Sequence, residues 1–173
     1  PLAAANVPAN EFINEGFNFS VDFNNAGTSA GFGPFVDVVV ARGIDVTAAS
    51  YEASGLTLRS VGFWDVTDNR WESLANGSGT AVTTHPLNEG ISLVPDPYGM
   101  GAADQGAQLF TVQLPFGSFV PSQPTATINF TASLDEPNAQ VGVPLSVKTR
   151  GGFIFGQDAL SNPSTDPPTL QAV

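Results

Sequence analysis

The pentapeptide Gly27-Thr28-Ser29-Ala30-Gly31 fits Gly-x-Ser-x-Gly, the elbow that presents a hydrolase serine. That chemistry needs a strand before the serine, a helix after it, a histidine base and an acid to orient the base. Residues 31–40, GFGPFVDVVV, have two glycines, a proline and a β-branched run, so they lead into another strand. Without a helix there is no dipole to build an oxyanion hole around Ser29. The sole histidine is His85, in TTHPL, where nothing in the sequence orients it, and it is expected on the surface at a strand end. The sequence therefore points away from a hydrolase.

Asp37 is the odd residue of PFVDVVVA. A carboxylate on a two-faced apolar strand is costly to bury unpaired. The sequence offers Arg42, Lys148, Arg150, backbone donors or a metal ion as its partner. The chain has no cysteine and one histidine, so a bound ion would be calcium, held by carboxylates and carbonyls. The candidate ligands are Asp37 together with Asp158 and Asp166 in the Gly/Asn/Pro-rich C-terminal segment. No regular calcium signature is present, and no cofactor is required. Trp64, Trp71 and Tyr98 offer faces on which a sugar would stack, with core packing as the alternative role. Lys148, the only lysine, raises an isopeptide cross-link, but strand alternation places it on the polar side with Ser146 and Arg150. Asn18, Asn76 and Asn129 open Asn-x-Ser/Thr sequons.

Short β strands must position these groups. Glycine (18) and proline (14) punctuate brief runs rich in Phe, Val and Thr, and no stretch keeps a 3.6-residue period. Residues 17–23, FNFSVDF, alternate strictly, with Phe17, Phe19, Val21 and Phe23 on one face. The pattern predicts an all-β sandwich of about nine strands, mostly antiparallel with Greek-key connections. Its core is expected from those four residues with Val38, Val40, Leu109, Val112, Leu114, Ile128, Phe130 and Val147. Residues 1–16 read as an extended lead-in able to complete a neighbour's sheet edge, residues 17–160 as the domain, and residues 161–173 as a Pro-rich linker. In the hairpin at 64–73, a two-residue turn at Asp68-Asn69 would pair Thr67 with Arg70, Val66 with Trp71 and Asp65 with Glu72.

The net charge of -11 repels nucleic acid and anionic membranes, and no apolar run is long enough to span a bilayer. No leader is visible, and the chain reads as a mature product or an excised piece.

VDFNNAGTSAGFGPFVDVVV, LFTVQLPFGSFVPSQPTATINFTASL and VGVPLSVKTRGGFIFGQDALSNPSTDPP resemble one module of very large bacterial surface proteins. Those proteins carry conserved-repeat (DUF11-like) and isopeptide-forming fimbrial or adhesin domains. The resemblance runs from about residue 17 to residue 168. It implies an immunoglobulin-like β-sandwich with a structural or adhesive role at the cell surface or in an extracellular filament. The partners it implies are neighbouring modules or subunits of the same assembly. It carries over no site residue, and the single lysine departs from the cross-linking pattern. The alternative is a carbohydrate-binding module that takes a glycan through Trp64, Trp71 and Tyr98.

Overall fold

The computed structural model describes residues 1–73, 79–156, 160–161 and 166–173. They form two packed sheets. The first holds β1 (Leu2–Asn6), β3 (Gly16–Asn24), β11 (Ala126–Leu134), β5 (Ile44–Tyr51) and β6 (Ser54–Leu56), in that spatial order. The second runs β2 (Asn10–Glu11), β13 (Thr169–Ala172), β12 (Pro144–Phe155), β4 (Gly31–Val40), β9 (Gln108–Gln113), β7 (Leu58–Asp65) and β8 (Arg70–Glu72), and β10 (Ser118–Phe119) also pairs with β4. Every strand pair is antiparallel except β2 with β13. The chain crosses between sheets at β3–β4 and again at β4–β5, as a Greek-key sandwich requires. Strands beyond the expected nine are short pieces such as β2, β6 and β10.

Period-two patterning accounts for the main core. Phe17, Phe19, Val21 and Phe23 point inward from β3, and Ile128 and Phe130 meet them from β11. Phe19 stacks on Phe130 with centroids 5.0 Å apart. All twelve expected core residues are buried. β4 lies between β12 and β9 and is apolar on both faces. Its Val36, Val38 and Val40 enter the inter-sheet core, whereas Val39 belongs to a second cluster with Trp64, Trp71, Leu93, Tyr98, Ala107 and Leu109. That second core exists because the connection from β8 to β9, described from residue 79 to 107, lies across the outer face of the second sheet. A fully buried central strand needs such a cover. This strap has one 3-10 turn at Ala102–Asp104 and otherwise irregular backbone. Among the described residues, the short strands expected at 78–86 and 91–97 reduce to isolated bridges, Ala81 to Glu72 and Thr84 to Ser92.

Two segments expected to be linkers carry strands. β1 pairs with the chain's own β3, Leu2 opposite Asn24 through Asn6 opposite Ser20. Its small Ala3 and Ala5 tuck against the core. β13 buries Leu170 and Ala172 beside β12. The 64–73 hairpin also has a different register: Trp64 faces Trp71, and Asp65 faces Arg70 rather than Glu72. The turn is longer than two residues, and Asn69 adopts a left-handed conformation with φ 53°. This register swaps an expected like-charge pair for an attractive one and brings the two tryptophans together.

Candidate functional site

The polar groups with most chemical potential meet beneath the strap. Asp37 projects from β4 on the strap side and is fully buried. The strap delivers His85 and Tyr98 to it: His85 Nε2 lies 2.9 Å from Oδ1, and the Tyr98 hydroxyl donates to Oδ2 at 2.8 Å. Asp37 thus satisfies its burial through two protein donors and needs no ion to do so. Of its expected partners, Arg150 lies opposite Asp37 in the β4–β12 register, while Lys148, opposite Val39, pairs with Asp104 instead. The Arg150 guanidinium sits 6.0 Å from the Tyr98 ring centre and donates to the carbonyls of Pro97 and Ser161. Burial pushes its pKa down, while the negative charge of Asp37 helps push it back up.

His85 is buried, not on the surface. Its Nδ1 accepts the Leu87 N–H at 3.2 Å, so in the neutral ring the proton sits on Nε2 and is donated to Asp37. Phe35 stacks on the imidazole at 4.6 Å. Gly152 makes room for that phenyl ring, since a methyl group there would overlap it. Both ring nitrogens are engaged, and no lone pair is left to accept a proton from a nucleophile. Ser29 lies elsewhere, in a loop that lines a cavity of about 380 Å³ with Asn25, Gly31 and Phe153, and His85 is not among its lining residues. β4 begins two residues after Ser29, so the elbow lacks its helix as well.

A second carboxylate repeats the arrangement. Asp96 Oδ1 accepts from Trp71 Nε1 at 2.9 Å and from the Tyr98 N–H at 3.2 Å, and Oδ2 accepts from the Met100 N–H at 2.7 Å. Lys148 Nζ reaches Asp104 Oδ2 at 3.2 Å and the Gly99 carbonyl at 3.2 Å, so the lone lysine ties the strap to β12 as an ion pair. Trp64, Trp71 and Tyr98 are buried and meet edge to face, with Trp71 5.5 Å from Trp64 and 5.8 Å from Tyr98. They are therefore no sugar platform: the strap that carries Tyr98 covers the indoles.

Of the expected calcium ligands, Asp37 is enclosed under the strap, Asp166 lies just before β13, and Asp158 lies outside the described residues. Asp65, Asp68 and Glu72 cluster at the 64–73 hairpin, where Arg70 contacts Asp68 at 2.8 Å and Glu72 at 2.9 Å and supplies the positive charge. Asn18 and Asn129 are exposed on the outer face of the first sheet; the Asn76 sequon lies outside the described residues.

Burial raises the Tyr98 pKa well above its ordinary value, and the Asp37 carboxylate adds to the rise. A raised folded-state pKa gives stability that is complete below the unfolded value of about 10 and is lost as pH climbs past it. One such group contributes at most about 1.4 kcal/mol per pH unit. Urea midpoints measured from pH 9 to 11.5 should therefore fall, and Tyr98→Phe should flatten part of that slope. Identical slopes would show that Tyr98 ionises as freely in the folded chain as in the unfolded one.

No protein-family model matches the chain, and no curated protein sequence matches it. Its fold is similar to that of AvmM, which catalyses macrocyclization in alchivemycin A biosynthesis: TM-score 0.54, 11% identity, 99% of this chain and 89% of that one. Looser likenesses are the sixth cohesin of Acetivibrio cellulolyticus scaffoldin B (TM-score 0.44, 8% identity, 99% and 98%) and the Streptococcus pneumoniae pilus backbone RrgB (TM-score 0.39, 11% identity, 88% and 52%). At these identities the likeness to AvmM speaks for the shared two-sheet architecture and for no chemistry.

Proposed function

We propose that this chain is a non-enzymatic structural or adhesive module of an extracellular surface protein, fibre, sheath or layer, with neighbouring modules or subunits as its partners. The observation that carries this reading is that, among the described residues, the groups gathered beneath the strap are used inside the fold. His85 and Asp37 hold each other, Trp71 holds Asp96, and Lys148 holds Asp104. Such groups anchor a strap and are not free to act on a substrate. Among the described residues no helix is long and apolar enough to cross a membrane.

Antibodies raised against the purified protein test the reading. They are expected to label intact, unpermeabilised cells of the source organism and the material those cells shed. Labelling that appears only after permeabilisation would overturn an extracellular role.

A further inference from the structure

Two motifs of the sequence have no use inside the fold: the sequons Asn18-Phe19-Ser20 and Asn129-Phe130-Thr131. They lie on β3 and β11, neighbours in the first sheet, and the antiparallel register sets them side by side. Phe19 stands opposite Phe130, Asn18 opposite Thr131 and Ser20 opposite Asn129. The two rings stack in the core, so alternation turns each asparagine and its hydroxyl partner to the outer face. Both asparagines are exposed there. The Thr131 hydroxyl donates to Asn18 Oδ1 at 3.1 Å, and among the described residues nothing bonds to the Nδ2 of either asparagine. The outward neighbours of the pair, Gly16, Ser20, Thr127, Ser133 and Ser50, are all small. The two strands carry one ionisable side chain, Asp22, which Asn6 and Thr127 hold.

We infer that the outer face of the first sheet is a glycosylation face, with Asn18 and Asn129 as acceptors of an N-linked glycan. This rests on the extracellular reading above, because sugar transfer to sequons accompanies export. The donor is an oligosaccharide joined through pyrophosphate to a membrane lipid, and the catalyst is an oligosaccharyltransferase of the source organism. The asparagine Nδ2 attacks C1 of the first sugar. The C1–O bond to the pyrophosphate breaks, and the lipid pyrophosphate leaves with the electron pair. The amide gives up one proton as the C1–N bond forms. The reacting atom, Nδ2, is the one left open at both positions. Small neighbours let a sugar lie over the strands without displacing a side chain. A flat face with so little charge has few groups to keep it from adhering to other proteins, a task that a hydrated glycan performs. The topology also fixes when transfer occurs. β3 lies between β1 and β11, and β11 between β3 and β5, so both sequons are hydrogen-bonded into the sheet interior. A transferase grips its acceptor as an extended segment with free backbone, so the sugar is added before these strands pair.

Mass spectrometry of the whole protein purified from the source organism tests this. Proteolytic peptides covering Asn18 or Asn129 should be heavier by a series of sugar masses, and electron-transfer fragmentation should place the first sugar on the asparagine. Ser20→Ala and Thr131→Ala, expressed in the same organism, keep each asparagine and delete the hydroxyl that completes its sequon. Each should abolish the sugar on its own asparagine. Asn129→Gln covers the case in which Thr131→Ala, which also loses the bond to Asn18, fails to fold. Protein bare at both Asn18 and Asn129 would overturn the inference, and so would a glycan confined to Asn76. Sugar that survives loss of the hydroxyl would do the same, since its attachment would not be read from the sequon. Cells labelled at their surface whose protein is bare at both positions would sink this inference alone. Label seen only after permeabilisation would remove the reading on which it rests.

Discussion

Replacing Asp37 with alanine is expected to destabilise the protein by about 3–5 kcal/mol, from the cost of stranding buried hydrogen-bonding partners. One carboxylate serves two donors, His85 Nε2–H and the Tyr98 hydroxyl, and both side chains are buried. Water cannot replace the lost acceptor without entering a packed cluster. Arg150, across the β4–β12 register, also loses the negative charge nearest its place in the sheet. Asp37→Asn separates the effects, because its amide oxygen still accepts from one donor. Urea unfolding should rank wild type above Asp37→Asn and Asp37→Asn above Asp37→Ala. An alanine variant within about 1 kcal/mol of wild type would mean that His85 and Tyr98 do not depend on this carboxylate, since such a loss is ordinary for any single substitution.

The same centre shows where sequence reasoning stops. Strict alternation from Phe17 to Phe23 announces one inward face, and the structure buries all four side chains. β4 was legible as a strand apolar on both faces, and its lone carboxylate as a group in need of partners. The partners were not legible, because His85 and Tyr98 lie 48 and 61 residues away, in a segment with almost no regular structure and hence no period to follow. A signal was present: a strand apolar on both faces needs two covers, and the long connection between β8 and β9 was free to provide the second. The hairpin register failed for a local reason. Asp68-Asn69 suits a two-residue turn, but packing Trp64 against Trp71 outweighs that preference and shifts the pairing. β1 and β13 escaped notice because they are too short to show a pattern, and small residues such as Ala3, Ala5 and Ala172 bury little surface of their own.

Truncating Trp71 to alanine is expected to cost about 3–5 kcal/mol, the range for deleting a large buried aromatic. The loss should fall unevenly across the fold. Trp71 is fully buried between Trp64 and Tyr98, and its Nε1–H ends on Asp96. Asp96 in turn fixes the Tyr98 and Met100 amides. Removing the indole therefore opens a cavity in the second core and also releases the carboxylate that shapes the strap. The inter-sheet core around Phe19 and Phe130 touches none of these groups and should keep its packing. Hydrogen exchange distinguishes this from a uniform loss, because local opening is governed by local contacts. In the Trp71→Ala protein the amides of His85, Leu93 and Met100 should exchange much faster than in wild type, while those of β3 and β11 should be limited only by global unfolding. Trp71→Phe covers the case in which the alanine variant fails to fold. It keeps a ring but deletes the bond to Asp96, and should cost about 1–3 kcal/mol with the same pattern of exchange. Equal acceleration in strap and sheets would show that the strap is no separate unit and that the two cores unfold as one.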